Sequence, residues 1–442
     1  VGAGRAGLSA ATDIAAAGGS VVVLEARDRV GGRTLTEELD GGHLVELGGQ
    51  WIGPTQDRMY ALVRDLGIET YPTYDAGDQV ALLAGKRYRF SGKLPRLNPL
   101  VVADFAQGFY RLERMAKRID PERPWRAERA RDWDGQTVET WVRRHMRTPL
   151  ARETMRLFVR ALLTTEPSSL SLLFTLFYFR SGTSFENLVS TTGGAQQDRL
   201  VGGAHLVSTR LAERLGDRVV LRAPVRAIEH GHDVRVATDE RTWSARRAIV
   251  AVPPALAATI AYAPALPGHR AQLTQRMPHG ATIKSVAVYE RPFWRDEGLS
   301  GQAGGLDLPV EFTFDTSPRD GYPGMLVGFV EGDRALVLGR MSADARRKLV
   351  LDSFARYFGP KAAEPIAYAD RDWTEEEWTR GCFGGHMPPG ALTRFGPALR
   401  EPVGPIHWAG TESARVWAGY MEGAVESGRR AASEVLEALS RG

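Results

Sequence analysis

The chain opens with Val1-Gly-Ala-Gly-Arg-Ala-Gly-Leu8 and continues through Val21-Val-Val-Leu-Glu25-Ala-Arg-Asp-Arg-Val-Gly-Gly-Arg33. Gly2, Gly4 and Gly7 form a G-x-G-x-x-G pattern. The first glycine allows a tight turn, the second lets a pyrophosphate approach the backbone, and the third lets a helix pack on a strand. Residues 8–17 are alanine-rich and end at Gly18-Gly19, which predicts a helix with a glycine stop. The start of that helix offers free N–H groups and a positive dipole end to a phosphate. Residues 21–24 read as a buried parallel strand, with Glu25 at its C-terminal end where a carboxylate binds a ribose 2′-OH. Strand, acid and spacing agree on a dinucleotide site in a Rossmann-type βαβ unit, rather than a glycine-rich turn in an ordinary βα unit.

Working outward, 442 residues suggest two or three domains with ample core. A net charge of +4 without a long basic run argues against nucleic acid as a partner. Cys382 is the single cysteine, so no intrachain disulfide forms and a reducing compartment, the cytoplasm, is expected. The most apolar run, residues 170–179, is too short to span a bilayer and reads as a buried helix, so no transmembrane anchor is expected. No metal site is expected, because the nine histidines are scattered and no His/Cys ligand set has metal spacing. No Ser–His–Asp arrangement can be argued either. The strand that should precede Gly2 is missing, so further residues are expected ahead of Val1.

Two architectures alternate along the chain. Residues 1–70 read as strand–helix–strand with glycine loops, 71–200 as mainly helical, 201–273 again as strands closed by Pro253-Pro254, and 274–376 as further strands. A short strand at 406–409 runs into Gly410-Thr-Glu412. A helix then starts near Gly419, with Met421, Val425, Ala432 and Val435 on one face. This predicts an α/β fold in which a Rossmann-type domain (1–70, 201–273, 377–442) is interleaved with an α+β substrate domain (71–200, 274–376).

Five blocks, in order, resemble the flavin-containing monoamine oxidase family. They are the opening block through Gly31-Gly-Arg33; Glu46-Leu-Gly-Gly-Gln-Trp-Ile-Gly-Pro-Thr-Gln56; and Arg276-Met-Pro-His-Gly-Ala-Thr-Ile-Lys284 with Arg291-Pro-Phe-Trp-Arg295. Gly381-Cys-Phe383 with Pro388-Pro-Gly390 is the fourth. Ala409-Gly-Thr-Glu412 with Trp417-Ala-Gly-Tyr-Met-Glu-Gly-Ala424 is the fifth. The departures are Phe383 and Trp51 where mitochondrial members have tyrosine, and a chain that stops at Gly442 where those members continue into a membrane helix.

The resemblance implies FAD as cofactor, held by Gly2, Gly4, Gly7, Glu25, Ala26, Arg27, Gly32 and Arg33. It extends the contacts to Gly48, Gly49, Gln50, Trp51, Val225, Trp373, Gly410, Thr411, Glu412, Gly419, Tyr420 and Met421. Cys382 would carry a thioether to the flavin 8α-methyl. Lys284 would hold a water near the flavin, although alternation alone allows it to face solvent from a strand. Tyr420 and Phe383 would be two aromatic walls for the substrate nitrogen. Ala161, Leu162, Val189, Gln196 and Phe312 match positions lining the substrate cavity, and their mostly apolar character favours a hydrophobic amine. The implied reaction is oxidative deamination with O2 reduced to H2O2. A diamine oxidase would need an acid deep in the pocket, for which only Glu311 offers itself, and its place beside Phe312 on a strand turns it the other way. An L-amino-acid oxidase would need an arginine where Trp51 stands. A desaturase is disfavoured by the Lys284 and Cys382 blocks. A flavin-binding scaffold without turnover is disfavoured by Lys284, Cys382 and Tyr420. A homodimer is left open.

Overall fold

The computed structural model describes residues 1–92 and 95–441. Its first layer is assembled from distant pieces of chain. Val23–Leu24 pairs in parallel with Val219–Val220, and Ala248–Val250 pairs in parallel with Ile406–Trp408. Residues 1–3 lie between the two pairs. Gly2 N donates to Leu24 O at 2.7 Å, and Ala251 N donates to Val1 O at 2.9 Å. Helix Arg5–Ala16 follows at once, and Met421–Ser440 packs against it. The apolar faces of both helices, with Val23 and Leu62, exclude water from this layer. Parallel pairs need crossover connections, which is why both sheet faces are covered.

The second layer is a seven-stranded sheet in the order Ala367–Asp372, Thr282–Tyr289, Gly324–Glu331, Phe312–Asp315, Leu299–Gly305, Asp78–Leu83 and Lys86–Phe90. Only the pair Leu299–Gly305 and Asp78–Leu83 is parallel. The two central strands, Thr282–Tyr289 and Gly324–Glu331, are buried at every residue. Lys284 therefore does not face solvent: it stands opposite Phe329 on one side and Arg371 on the other.

The segment 71–200 is less purely helical than its pattern suggests. Asp78–Leu83 and Lys86–Phe90 form a hairpin joined at Ala84 and Gly85, whose φ values of 50° and 75° suit the twist of a two-residue connection. Beyond it, Pro99–Ala116 packs against both Pro149–Leu163 and Leu172–Ser181 in a helical layer with its own apolar core. All of Leu172–Ser181 except Arg180 is buried. Ser171 caps that helix, accepting from Phe174 N at 3.2 Å while donating to Asp134 at 2.6 Å. Among the described residues no helix is long and apolar enough to cross a membrane.

Candidate active site

One cavity runs from the glycine turn to the central strands of the large sheet. Gly2, Gly4, Glu25, Ala26, Arg27, Gly32, Arg33 and Val225 line one part of it. Gly410, Thr411, Gly419, Tyr420 and Met421 come from the C-terminal block, and Gly48, Gly49, Gln50 and Trp51 from the second block. Lys284, Trp373, Cys382, Phe383, Ala161, Leu162, Val189, Gln196 and Phe312 complete the predicted set.

Two predicted residues stand behind the wall. A Cβ on Gly7 would come within 1.9 Å of Gly2 O, so only glycine lets the helix sit this close to the turn. Glu412 is buried and takes the Arg33 guanidinium at 2.5 Å, while Arg33 also donates to Phe383 O at 2.6 Å. Burial alone would raise Glu412, but Arg33 and His279 overcome it and hold the carboxyl far below the usual range.

The turn end has the form of an anion cradle. A Cβ on Gly4 would meet nothing within 4 Å, so the backbone there faces open space beside the helix start. Glu25 Oε2 accepts from Ala3 N at 2.7 Å and Oε1 from Arg27 N at 3.0 Å, fixing the acid at the strand end.

At the other end the walls are aromatic. Trp51 packs on Phe314 and Phe329 with ring centroids 5.1 and 6.0 Å apart. Phe383 meets Phe329 edge-on at 6.4 Å, and Tyr420 is flanked by Trp417 and Tyr178 at 5.0 and 6.0 Å. Trp373 is fully buried and donates from Nε1 to Leu47 O at 2.8 Å.

Phe383 adopts φ 44°, unusual for an aromatic residue, and follows Gly381 at φ 132°. A Cβ on Gly381 would lie 2.4 Å from His279 Cβ, so the turn presenting Cys382 and Phe383 closes only with glycine there.

Lys284 is 3% exposed. Its Nζ donates to Gly48 O at 2.7 Å and to Gln50 Oε1, and lies 5.6 Å from both the Trp51 and Phe329 rings. Burial lowers its pKa to about 7; Glu46 opposes the fall and Arg199 adds to it. The amine is therefore substantially neutral at physiological pH and can accept as well as donate a hydrogen bond. The Cys382 thiol moves the other way. Burial pushes it up to about 11, so it is not an activated thiolate on its own.

Glu311 is fully buried but turned into an ion pair with Arg160 at 2.6 Å and Arg334 at 3.2 Å, and does not reach the cavity. Sequence reasoning found Glu25 in the lining but missed a second acid there. Glu331, at the end of a strand buried on both faces, lines the cavity. Tyr178, Thr282, Phe314, Phe329 and Trp378 were missed or left undecided and line it too. Gln50 Nε2, Trp51 Nε1 and Thr282 Oγ1 are buried there without a protein partner. A cradle at one end and unsatisfied polar atoms at a ring-lined end fit an extended dinucleotide whose redox ring lies beside Lys284.

Such a nucleotide turn, opening into an aromatic chamber with a buried lysine, defines a class of dinucleotide-dependent oxidoreductase. The family profile for flavin-containing amine oxidoreductases matches residues 5–436. Flavin-containing amine oxidase B of Sus scrofa is 38% identical over 447 residues, spanning 100% of this chain and 86% of its own. A solved putrescine oxidase bound to putrescine superposes with a TM-score of 0.96 at 38% identity, covering 99% of this chain and 98% of that one. Cyclohexylamine oxidase from Brevibacterium oxydans gives 0.96 at 36%, covering 100% and 98%. The chain belongs to the flavin-containing amine oxidoreductase family. Membership makes it an oxidoreductase acting on small-molecule amines with O2 as acceptor, and implies FAD as its cofactor.

Proposed function

We propose that this enzyme oxidises a hydrophobic arylalkyl or alkyl monoamine at the carbon bearing nitrogen, giving an imine that hydrolyses to an aldehyde or ketone. The observation that carries the reading is a buried Lys284, at a pKa near 7, in a chamber walled by Trp51, Phe312, Phe329, Phe383 and Tyr420. Segments 1–70, 201–273 and 377–442 hold the cofactor in this reading, and 71–200 with 274–376 hold the substrate. Gly2, Gly4, Glu25, Arg33, Gly410 and Thr411 hold the nucleotide, Gly48 to Trp51 and Trp373 border the ring, and Cys382 attaches it covalently. FAD, when bound, supplies a two-electron acceptor that O2 reoxidises with release of H2O2.

The chain's own groups bind and orient. Phe383 and Tyr420 present their ring faces to the amine nitrogen. The apolar walls at Ala161, Leu162, Val189 and Phe312 gain about 25 cal/mol per Å² of substrate surface they cover. Lys284 Nζ holds a water by hydrogen bond at the chamber floor, with Gly48 O and Gln50 fixing its direction. A substrate carboxylate would be buried without a partner beside Trp51, at a cost of several kcal/mol. A terminal diamine is the second reading: Glu311, the acid expected to meet its second ammonium, is committed to arginines, and Glu331, which lines the cavity, is the acid left to meet it. The lone thiol fits a cytoplasmic enzyme.

The test is kcat/KM, read by peroxide release, for phenethylamine, benzylamine, putrescine and L-phenylalanine across pH. Arylalkyl amines should lead, with activity rising as neutral amine accumulates above neutral pH. A preference for putrescine or L-phenylalanine would refute the substrate assignment, and no peroxide from any amine would refute turnover itself.

A further inference from the structure

The helix that follows the glycine turn begins with an arginine, where a cation is least favoured. Arg5 is the first residue of helix Arg5–Ala16. The free N–H groups and dipole of a helix already put positive charge at that end. No acidic side chain stands in the first turn to offset it, and Gly4 supplies no side-chain cap. Arg5 is also buried, at 4% exposure. A guanidinium is rarely buried to this extent unless it is paired.

The chain provides no counter-ion. Among the described residues no carboxylate forms an ion pair with Arg5. The acid whose charge it feels, Glu46, is held by the Arg199 guanidinium at 3.0 Å and by Ala204 N at 2.7 Å. Arg5 donates only to uncharged atoms, from Nη2 to Ala204 O at 2.7 Å and from Nη1 to Met59 Sδ at 3.5 Å. Nε is buried without a hydrogen-bond partner. Burial lowers the guanidinium only to about 10, with Glu46 opposing, so it stays charged at neutral pH.

The side chain lines the cavity, one residue on from Gly4, whose backbone faces open space. The other two arginines of that wall are already paired. Arg33 takes Glu412 at 2.5 Å, and Arg27 lies between Glu25 and Glu376 at 3.7 and 3.6 Å. Lys284 stands at the aromatic end. Arg5 is thus the arginine of the cradle whose charge is uncommitted. A pyrophosphate seated at the helix start would bring negative charge to both the dipole and the side chain.

We propose that Arg5 is a charged ligand of the dinucleotide, with its unpartnered Nε–H directed to the pyrophosphate that the glycine turn cradles. The proposal rests on the reading that FAD occupies this cavity. It gives one residue two opposite effects. In the empty protein the cation is buried without a partner and destabilises the fold. In the filled protein it is half of an ion pair.

Full-length apoprotein from riboflavin-depleted cells tests this, with Cys382→Ala in every version so that no flavin is held covalently. FAD is titrated into this parent, into Arg5→Leu and into Arg5→Lys, and the melting temperature of each empty protein is measured. Arg5→Leu should bind FAD about ten- to a hundredfold more weakly, the scale of one charge-assisted hydrogen bond. Arg5→Lys should recover part of that loss, because it keeps the charge. Empty Arg5→Leu should melt no lower than the empty parent, an outcome that a merely structural arginine would not give. Equal FAD affinity in the parent and Arg5→Leu overturns the proposal. So does Arg5→Lys binding no better than Arg5→Leu, which removes charge as the cause. Empty Arg5→Leu melting below the parent makes Arg5 a structural residue and also overturns it. A parent that binds no FAD overturns the flavin reading as well.

Discussion

Replacing Lys284 by methionine should make the protein more stable, and by an amount that depends on pH. Methionine matches the length of the stem and removes the amine. Burial lowers Lys284 from 10.5 to about 7. At 1.36 kcal/mol per pH unit that fall corresponds to about 5 kcal/mol against the folded state once the amine is protonated in both states. The sign follows from proton counting. Between pH 10.5 and about 7 the unfolded lysine holds a proton that the folded one lacks, so wild-type stability falls as pH falls. Below about 7 the penalty is complete. Against it stand the hydrogen bonds to Gly48 O and Gln50, whose loss costs about 1 kcal/mol each and leaves Gln50 unsatisfied. The variant should therefore exceed wild type by roughly 2–3 kcal/mol at pH 6 and lose that advantage by pH 10. Urea unfolding of both holoproteins at pH 6, 8 and 10 measures it. A difference that does not change with pH would mean that Lys284 is not desolvated as described. The same variant should keep its flavin absorbance and slow turnover.

Gly7→Ala should abolish yellow holoprotein, because its Cβ would fall 1.9 Å from Gly2 O; normal flavin uptake by the variant would refute the packing argument. Glu311→Gln should cost about 3–5 kcal/mol in chemical denaturation, since it leaves the buried Arg160 without its closest partner, while the substrate ranking stays unchanged. Glu412, whose carboxyl is held far below its ordinary 4.5, contributes stability that is present above that value and lost as pH falls through the depressed one. Glu412→Gln should therefore be the weaker protein at pH 7, with the gap closing in strong acid; a constant gap would exclude this linkage.

What could be read from the sequence were residues under a local and inflexible demand. Gly2 and Gly7 carry steric requirements that no other side chain meets, Gly4 leaves open space beside the helix start, and Glu25 follows them at a fixed distance along strand and helix. Lys284 announced itself as a charge inside an apolar strand, once its flanks matched a family block. The hairpin 78–90 went unread because Asp78–Leu83 is buried at four consecutive residues, which erases alternation; the surviving signal was Ala84-Gly85. Glu331 was hidden for the same reason. On a strand buried at all eight residues, pattern cannot say which side chains reach a cavity. Arg160 and Glu311 meet across 151 positions of chain, a pairing that no local rule anticipates.

The parallel layer is closed by Ile406–Trp408 lying against Ala248–Val250, and the glycine turn shares its cavity with Gly410 and Thr411. During synthesis, then, the glycine turn must wait for Gly410 and Thr411 to leave the ribosome before the nucleotide end of the cavity has that wall. Contacts of such long range are formed late, after the largest loops have closed. Cofactor capture becomes the final step of folding, and free FAD then adds stability as RT ln(1 + [FAD]/Kd), fastening the glycine turn to Gly410 and Thr411. A cell short of riboflavin would hold this protein open at the seam where the glycine turn meets Gly410 and Thr411.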